Sequence, residues 1–177
     1  SGPARLVIRE EFGVRVSEWK DPQFLSQLFP MDSATFQNLS YYHYQDLTAP
    51  IASGSYPVNG MIIIPSSTTC FSRIANGISQ TLIERAAECM IKEGKRLVIV
   101  PRETPLSCLH LEHLLKLSRA GVRIVPAIPA FYSGAQSVDD LIDFVIGKAL
   151  DQLEVEHALF RRWTGSVSQL EEKGAKW

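Results

Sequence analysis

Three short apolar runs, each closed by a proline, constrain this chain more than any other feature. They are Met61-Ile62-Ile63-Ile64 before Pro65, Leu97-Val98-Ile99-Val100 before Pro101, and Val122-Arg123-Ile124-Val125 before Pro126. Such β-branched runs suit strands buried on both faces of a parallel sheet. A proline cannot donate to the ladder, so each run is expected to stop pairing there. Helical patterns separate the runs. From Ser72 to about Lys92, the residues Ile74, Ile78 and Leu82 recur every four positions. Between Leu106 and Ala120, Leu111, Leu114, Leu115 and Ser118 share one face, and Gly121 is placed to end the helix. Ser137 followed by Asp139 and Asp140 reads as a capped helix start, with Leu141, Ile142, Val145, Ala149 and Leu153 as the buried stripe. Strand and helix in alternation predict an α/β fold, a parallel sheet with helices on both faces in three layers.

The first sixty residues are less regular. Ala4 to Glu11 and Asp21 to Leu28 are helical candidates, and Tyr41-Tyr42-His43-Tyr44 is a candidate strand. A doubly wound domain ordinarily opens with a strand and a glycine-rich turn. Neither is present here, so a domain lacking that opening is expected.

A chain of 177 residues suffices for one domain with a substantial core, taken here as residues 1–163 with a tail over 164–177. The formal net charge of −1 gives no electrostatic reason to expect nucleic acid or a membrane surface as partner. The paired basics Lys95-Arg96 and Arg161-Arg162 are too common on solvated surfaces to change that. No apolar run is long enough to span a bilayer. Cys70, Cys89 and Cys108 are sparse and widely separated, which fits a reducing cytoplasm better than a disulfide framework.

In open parallel sheets ligands bind beyond the carboxyl ends of the strands. Here three strand ends deliver Ser67-Thr68-Thr69-Cys70, then Arg102-Glu103, then Phe131-Tyr132 toward one edge. The serine and threonines precede a helix, where hydroxyls and backbone N–H groups can face an anion or simply cap the helix. Arg102 can clamp a phosphate and Glu103 can exchange protons with a leaving phosphate; a surface ion pair would look the same. Arg85 and Lys92, two turns apart on one helix, read either as a basic rim or as scattered surface cations. Tyr132 could donate to a ligand or pack in the core. His110 and His113 lack the H-E-x-x-H spacing and show no third ligand, so no metal site is expected.

On these segments the chain resembles the UbiX-like flavin prenyltransferases, also described as phenylacrylic-acid-decarboxylase-like flavoproteins. The matching stretches are Ala49-Pro50-Ile51-Ala52-Ser53-Gly54-Ser55, Pro65-Ser66-Ser67-Thr68 and Leu82-Ile83-Glu84-Arg85-Ala86-Ala87. They continue through Pro101-Arg102-Glu103-Thr104-Pro105-Leu106, Pro129-Ala130-Phe131-Tyr132 and Gln136-Ser137-Val138-Asp139-Asp140. The resemblance implies a Rossmann- or flavodoxin-like flavoprotein fold that binds FMN and dimethylallyl phosphate and needs no metal. It implies that Ser1, Ser67, Thr68, Thr69, Cys70 and Arg102 hold FMN. Tyr132 and Lys148 would contact dimethylallyl phosphate, with Arg85 and Lys92 adding positive charge. Glu103 would be the acid–base residue and Glu11 a second acid near the flavin. The implied reaction joins the allyl carbon to N5 of reduced FMN as phosphate leaves, then closes a ring onto C6. The product, prenylated FMN, would serve a UbiD-like decarboxylase. Family members form homo-oligomers, commonly dodecamers built from trimers, with sites shared between subunits.

Two departures from the family pattern stand out. The glycine-rich loop that cradles the flavin phosphate is missing from these residues, and Leu47 stands where some relatives carry tryptophan. The missing loop keeps a non-catalytic FMN-binding or assembly subunit in view. An FMN-dependent decarboxylase acting on cysteine conjugates is the other alternative, although its P-x-M-N-x-x-M-W type motif is absent.

Overall fold

The computed structural model describes residues 9, 10, 13 and 38–163, and in it all three apolar runs pair side by side. Strands β1 (Gly60–Ser66), β2 (Arg96–Pro101) and β3 (Arg123–Ile124) form one parallel sheet in that order. Successive side chains of a strand point to opposite faces, and the burial follows that rule. Ile63, Leu97 and Ile99 pack with Phe71, Ile74, Met90, Leu114 and Leu117 on one face. Val98 and Val100 pack with Ala149 on the other, joined by Ile62, Val145 and Leu153. Leu97, Val98, Ile99 and Val100 are at most 1% exposed, so β2 is covered on both sides. Each such side chain contributes roughly 1.5–3 kcal/mol on burial.

Among the described residues four helices supply the covering layers: α1 (Thr68–Ala75), α2 (Leu82–Lys92), α3 (Cys108–Arg119) and α4 (Val138–Gln152). The first three lie over the face carrying Ile63, and α4 over the face carrying Val98. This is the expected three-layer α/β arrangement.

The prolines do not end the strands as expected. β1 runs one residue past Pro65, and Ser66 pairs with Pro101 after a register irregularity that begins beyond Ile63. A proline lacks only the N–H; its carbonyl and its neighbours still pair at the edge of a ladder. β3 is shorter than its run, yet the Val125 N–H donates to the Ile99 carbonyl (2.9 Å) and Ala127 to Pro101 (3.3 Å), extending contact beyond Ile124.

The helix expected over 72–92 is two helices. Gly77, at φ +68°, turns the chain after α1, and Ile78 is exposed, so Ile74, Ile78 and Leu82 do not form one stripe. α2 restarts where the Glu84 carboxylate accepts the N–H groups of Gln80 (2.7 Å) and Thr81 (2.9 Å). With the Thr81 side chain turned to the Glu84 N–H, that makes a capping box, legible as Thr81-x-x-Glu84.

On α3 the buried residues are Leu114 and Leu117, whereas Leu111 and Leu115 are about half exposed and Ser118 faces solvent. The expected face is therefore rotated. Gly121 does close this helix. Its N–H reaches the Ser118 carbonyl (3.0 Å) and that of Val122 reaches Leu117 (3.1 Å), the two bonds of a Schellman end, with Gly121 at φ +87°. Ser137 caps α4 as expected, accepting the Asp140 N–H at 3.1 Å. Ile142 lies outside its buried stripe, which centres on Gly147 and Ala149.

Tyr41 to Tyr44 is not a strand. The segment turns at once, Asp46 N–H to the His43 carbonyl (2.9 Å), and docks on α2 through the Leu82 N–H to the Tyr44 carbonyl (2.7 Å). Arg9 and Glu10 are helical. The rest of the candidate helix over 4–11, the candidate over 21–28 and the tail over 164–177 lie outside the described residues.

Candidate flavin and phosphate site

The carboxyl edge of the sheet is built from the ends of β1 and β2. The Arg102 N–H donates to the Ser66 carbonyl at 3.2 Å, which sets the first residue past β2 beside the start of α1. Ser67 is the N-cap of α1. Its hydroxyl accepts the Cys70 N–H (3.3 Å) and its carbonyl the Phe71 N–H (3.2 Å). The first-turn N–H groups of a helix have no partner within it and carry its positive end. Phe71, fully buried, anchors that turn to the core. Thr69 is exposed, and Thr68 and Cys70 are half-buried. Burial pushes the Cys70 thiol up, so the turn offers a thiol and not a thiolate.

Arg102 and Glu103 are both exposed. One Glu103 oxygen accepts the Thr104 N–H (3.0 Å), while Arg102 has no ion-pair partner among the described residues. Beyond β3, a turn of 3-10 helix, Phe131–Ser133, carries Tyr132. Tyr132 is 84% exposed, Phe131 77% and Ile128 72%. So much apolar and aromatic surface on one loop marks a contact site for a ligand or another subunit. Ser67 to Cys70, Arg102 and Glu103 thus leave the sheet at one edge, and the chain that later carries Tyr132 leaves β3 toward the same edge.

Arg85, Lys92 and Lys148 do not join them within one chain. Lys92 is the last residue of α2, four before β2 begins, so it lies at the amino edge of the sheet. A six-residue strand at about 3.3 Å per residue separates that edge from Arg102 by roughly 20 Å. Arg85 donates through Nε to the Ala52 carbonyl (3.0 Å) and through Nη1 to Glu88 (3.0 Å). Lys92 pairs with Glu93, which raises the lysine pKa and lowers that of the glutamate. The loop that carries Ala52 continues over α2, where Lys95 Nζ binds the Tyr56 carbonyl (3.0 Å). Between loop, α2 and β1 lies a cavity of about 230 Å³, walled by Ile51, Tyr56, Val58, Met61, Cys89 and Met90. It belongs to the amino edge and is apolar, so it is not the phosphate site.

Lys148 lies on α4, over the opposite sheet face. Its ammonium is 3.6 Å from Asp151 and 6.0 Å from the centre of the Phe160 ring. The anchor around it escaped the sequence reading. Asp151 is held by Arg162 (2.6 and 2.8 Å) and by His157 (3.0 Å), two residues beyond the last periodic segment. The spacing of Lys148 and Asp151, three apart on a helix, was the available signal. Ser1 and Glu11 lie outside the described residues.

The two α3 histidines have local partners. His110 Nδ1 accepts the Ser107 N–H (3.2 Å), and His113 bridges Ser72 Oγ (2.9 Å) and Asn76 Nδ2 (3.1 Å) on α1. No helix among the described residues is long and apolar enough to cross a membrane.

The rim suits a flavin phosphate. It combines a helix amino terminus, serine and threonine hydroxyls, an arginine with no ion-pair partner among the described residues, and aromatic surface on the loop that follows β3. Comparison with known proteins agrees. The Flavoprotein family model matches residues 7–150. The flavin prenyltransferase UbiX of Halalkalibacterium halodurans is 54% identical over 157 residues, 89% of this chain and 74% of that protein. A dodecameric FMN-dependent UbiX-like decarboxylase from Escherichia coli superposes with a TM-score of 0.69 at 43% identity, over 79% of this chain and 77% of its own. A UbiX protein crystallised with FMN and dimethylallyl pyrophosphate gives 0.68 at 40% identity, over 75% of this chain and 78% of its own. A three-layer parallel α/β sheet with this rim and these relatives places the chain in the flavoprotein family, as a member of its flavin prenyltransferase UbiX group.

Proposed function

We propose that this protein is a flavin prenyltransferase, transferring the dimethylallyl group of dimethylallyl phosphate to reduced FMN. The observation that carries the reading is the Arg102–Ser66 backbone bond, which sets the backbone of Arg102 beside the α1 amino terminus at the carboxyl edge. Ser67, Thr68, Thr69, Cys70 and Arg102 hold the flavin, with Ser1 assigned to it by resemblance. Reduced FMN, when bound, supplies the electron-rich ring that accepts the allyl carbon. Every other requirement falls on the protein. The allyl group needs apolar and aromatic walls, which the exposed Ile128, Phe131 and Tyr132 of the loop after β3 are suited to supply. The departing phosphate needs fixed cations, supplied by Arg85, Lys92 and Lys148 with the Tyr132 hydroxyl. Glu103 handles the proton at the phosphate oxygen as the carbon–oxygen bond breaks, and Glu11 is the second acid.

Because Arg85, Lys92 and Lys148 stand away from the rim of their own chain, we assign them to the rims of neighbouring copies in a homo-oligomer, a dodecamer by analogy with the Escherichia coli relative. The product, prenylated FMN, passes to a UbiD-like decarboxylase. Three free cysteines support a reducing, cytoplasmic setting. The handover is tested by incubating the protein anaerobically with reduced FMN and dimethylallyl phosphate, then adding a cofactor-free UbiD-like decarboxylase. Decarboxylation that requires both small molecules supports the reading; a decarboxylase that stays inactive refutes the handover.

A further inference from the structure

Lys148 and Lys92 are both assigned to phosphate, yet they are held in different ways. Lys92 is paired with its sequence neighbour Glu93, both largely solvated. Lys148 leans on a built hub. Asp151 Oδ1 accepts from His157 Nε2 (3.0 Å) and Arg162 Nη2 (2.6 Å), and Oδ2 from Arg162 Nη1 (2.8 Å), with Lys148 Nζ at 3.6 Å on the same oxygen.

The hub is fixed from beneath. The His157 side chain is 6% exposed, and its Nδ1 accepts the Leu159 N–H (3.2 Å), which leaves Nε2 to carry the proton toward Asp151. The Phe160 ring packs at a tilt against both His157 and Phe144, and its centre lies 4.9 Å from the Arg162 guanidinium. Gly147 admits these rings to the surface of α4, since a Cβ there would sit 2.6 Å from His157 and Phe160 atoms.

The carboxylate is thus anchored without Lys148, through Arg162 and His157. Two cations, Lys148 and Arg162, face one anion, so one positive charge of the cluster is left unmatched. Lys148 makes the longest contact of the set and stays about half exposed, with donors left over for another oxygen.

We infer that Asp151, braced by Arg162 and His157, is a positioning residue for Lys148, holding its ammonium on α4 as a contact for the phosphate of the allyl donor. The inference rests on the assignment of Lys148 to that phosphate. A lysine stem loses considerable rotamer entropy on being fixed, and a pre-set counter-ion bears that cost before the ligand arrives.

The test measures the Kd of dimethylallyl phosphate, and separately of FMN, by calorimetry on the assembled protein. The variants are Lys148→Gln, Asp151→Asn and the two combined. Each single change should weaken dimethylallyl phosphate binding about fivefold, with the double variant no weaker than Lys148→Gln and FMN binding unchanged. If Lys148→Gln weakens binding and Asp151→Asn does not, the positioning role falls while the Lys148 assignment stands. If Lys148→Gln has no effect, that assignment fails and takes the inference with it. Parallel loss of both ligands in Asp151→Asn, or additive effects in the double variant, shows a merely structural hub and also overturns it. Asp151→Glu keeps the charge and serves if Asp151→Asn does not fold; an intermediate loss is expected, and wild-type affinity there contradicts the proposal.

Discussion

Arg102 donates its backbone N–H to the carbonyl oxygen of Ser66 across 3.2 Å, directly past the last pair of the β1–β2 ladder. The bond joins the two strand ends whose side chains matter most. Arg102 is therefore exposed with its backbone pinned, and its guanidinium stays open to solvent.

Arg102→Gln removes that cation and little else. Hydrogen bonds to a charged group are worth about 1.5–3 kcal/mol, so FMN affinity should fall about ten- to a hundredfold in a fluorescence titration. The melting temperature should move by less than about 2 °C, because the side chain is exposed and unpacked. A large loss of stability with unchanged FMN binding would reverse the assignment.

Arg102→Gln and Lys92→Gln subunits should each be inactive alone. Mixed, unfolded and reassembled together, they should regain activity, since the two residues sit at opposite edges of one chain's sheet. Failure to recover in mixed oligomers verified by mass would mean that both residues act within one subunit, contrary to this placement.

Asp151 titrates near 2, below its ordinary 3.8, chiefly through the Arg162 hydrogen bonds, with His157 adding to them. The folded state therefore favours the carboxylate. Its contribution is full above about pH 4 and is lost as pH falls toward 2. Solvent around the half-exposed Arg162 limits the effect to about 1 kcal/mol. Denaturation of wild type and Asp151→Asn should differ by that amount at pH 7, with the gap shrinking below about pH 4 and closing only below about pH 2. A constant gap at all pH values would show that the charge is not what matters.

Gly147→Ala tests the packing beneath that hub. Alanine usually stabilises a helix interior by about 1 kcal/mol relative to glycine. Here the added methyl meets buried His157 and Phe160 atoms at 2.6 Å, and overpacking costs about 1–3 kcal/mol. Net destabilisation is expected in urea denaturation; a more stable variant would show that residues 157–160 do not lie on α4.

Much of this was legible in residues alone, wherever one local cause acts. The β2 run is apolar because both its faces are covered, and the Ser137 cap and Gly121 end need only their own neighbours. The chain-level errors have physical causes as well. Ile74, Ile78 and Leu82 keep a four-residue period across a break at Gly77, so the pattern survived where the helix did not. Leu111, Leu114 and Leu115 fit an apolar stripe, but tertiary packing kept only Leu114 of them and added Leu117. Which phosphate residues share an edge depends on strand direction, and spacing along α2 carries no trace of it. Arg162 looked like half of a common basic pair; its role appears only when the chain beyond α4 folds back onto Asp151.

The most direct measurement is the mass of the flavin after anaerobic incubation of the protein with reduced FMN and dimethylallyl phosphate. A flavin heavier by one five-carbon unit, formed only when protein and both small molecules are present, is the expected result. Tight FMN binding with the flavin unchanged, or carbon dioxide released from a cysteine conjugate instead, would contradict it.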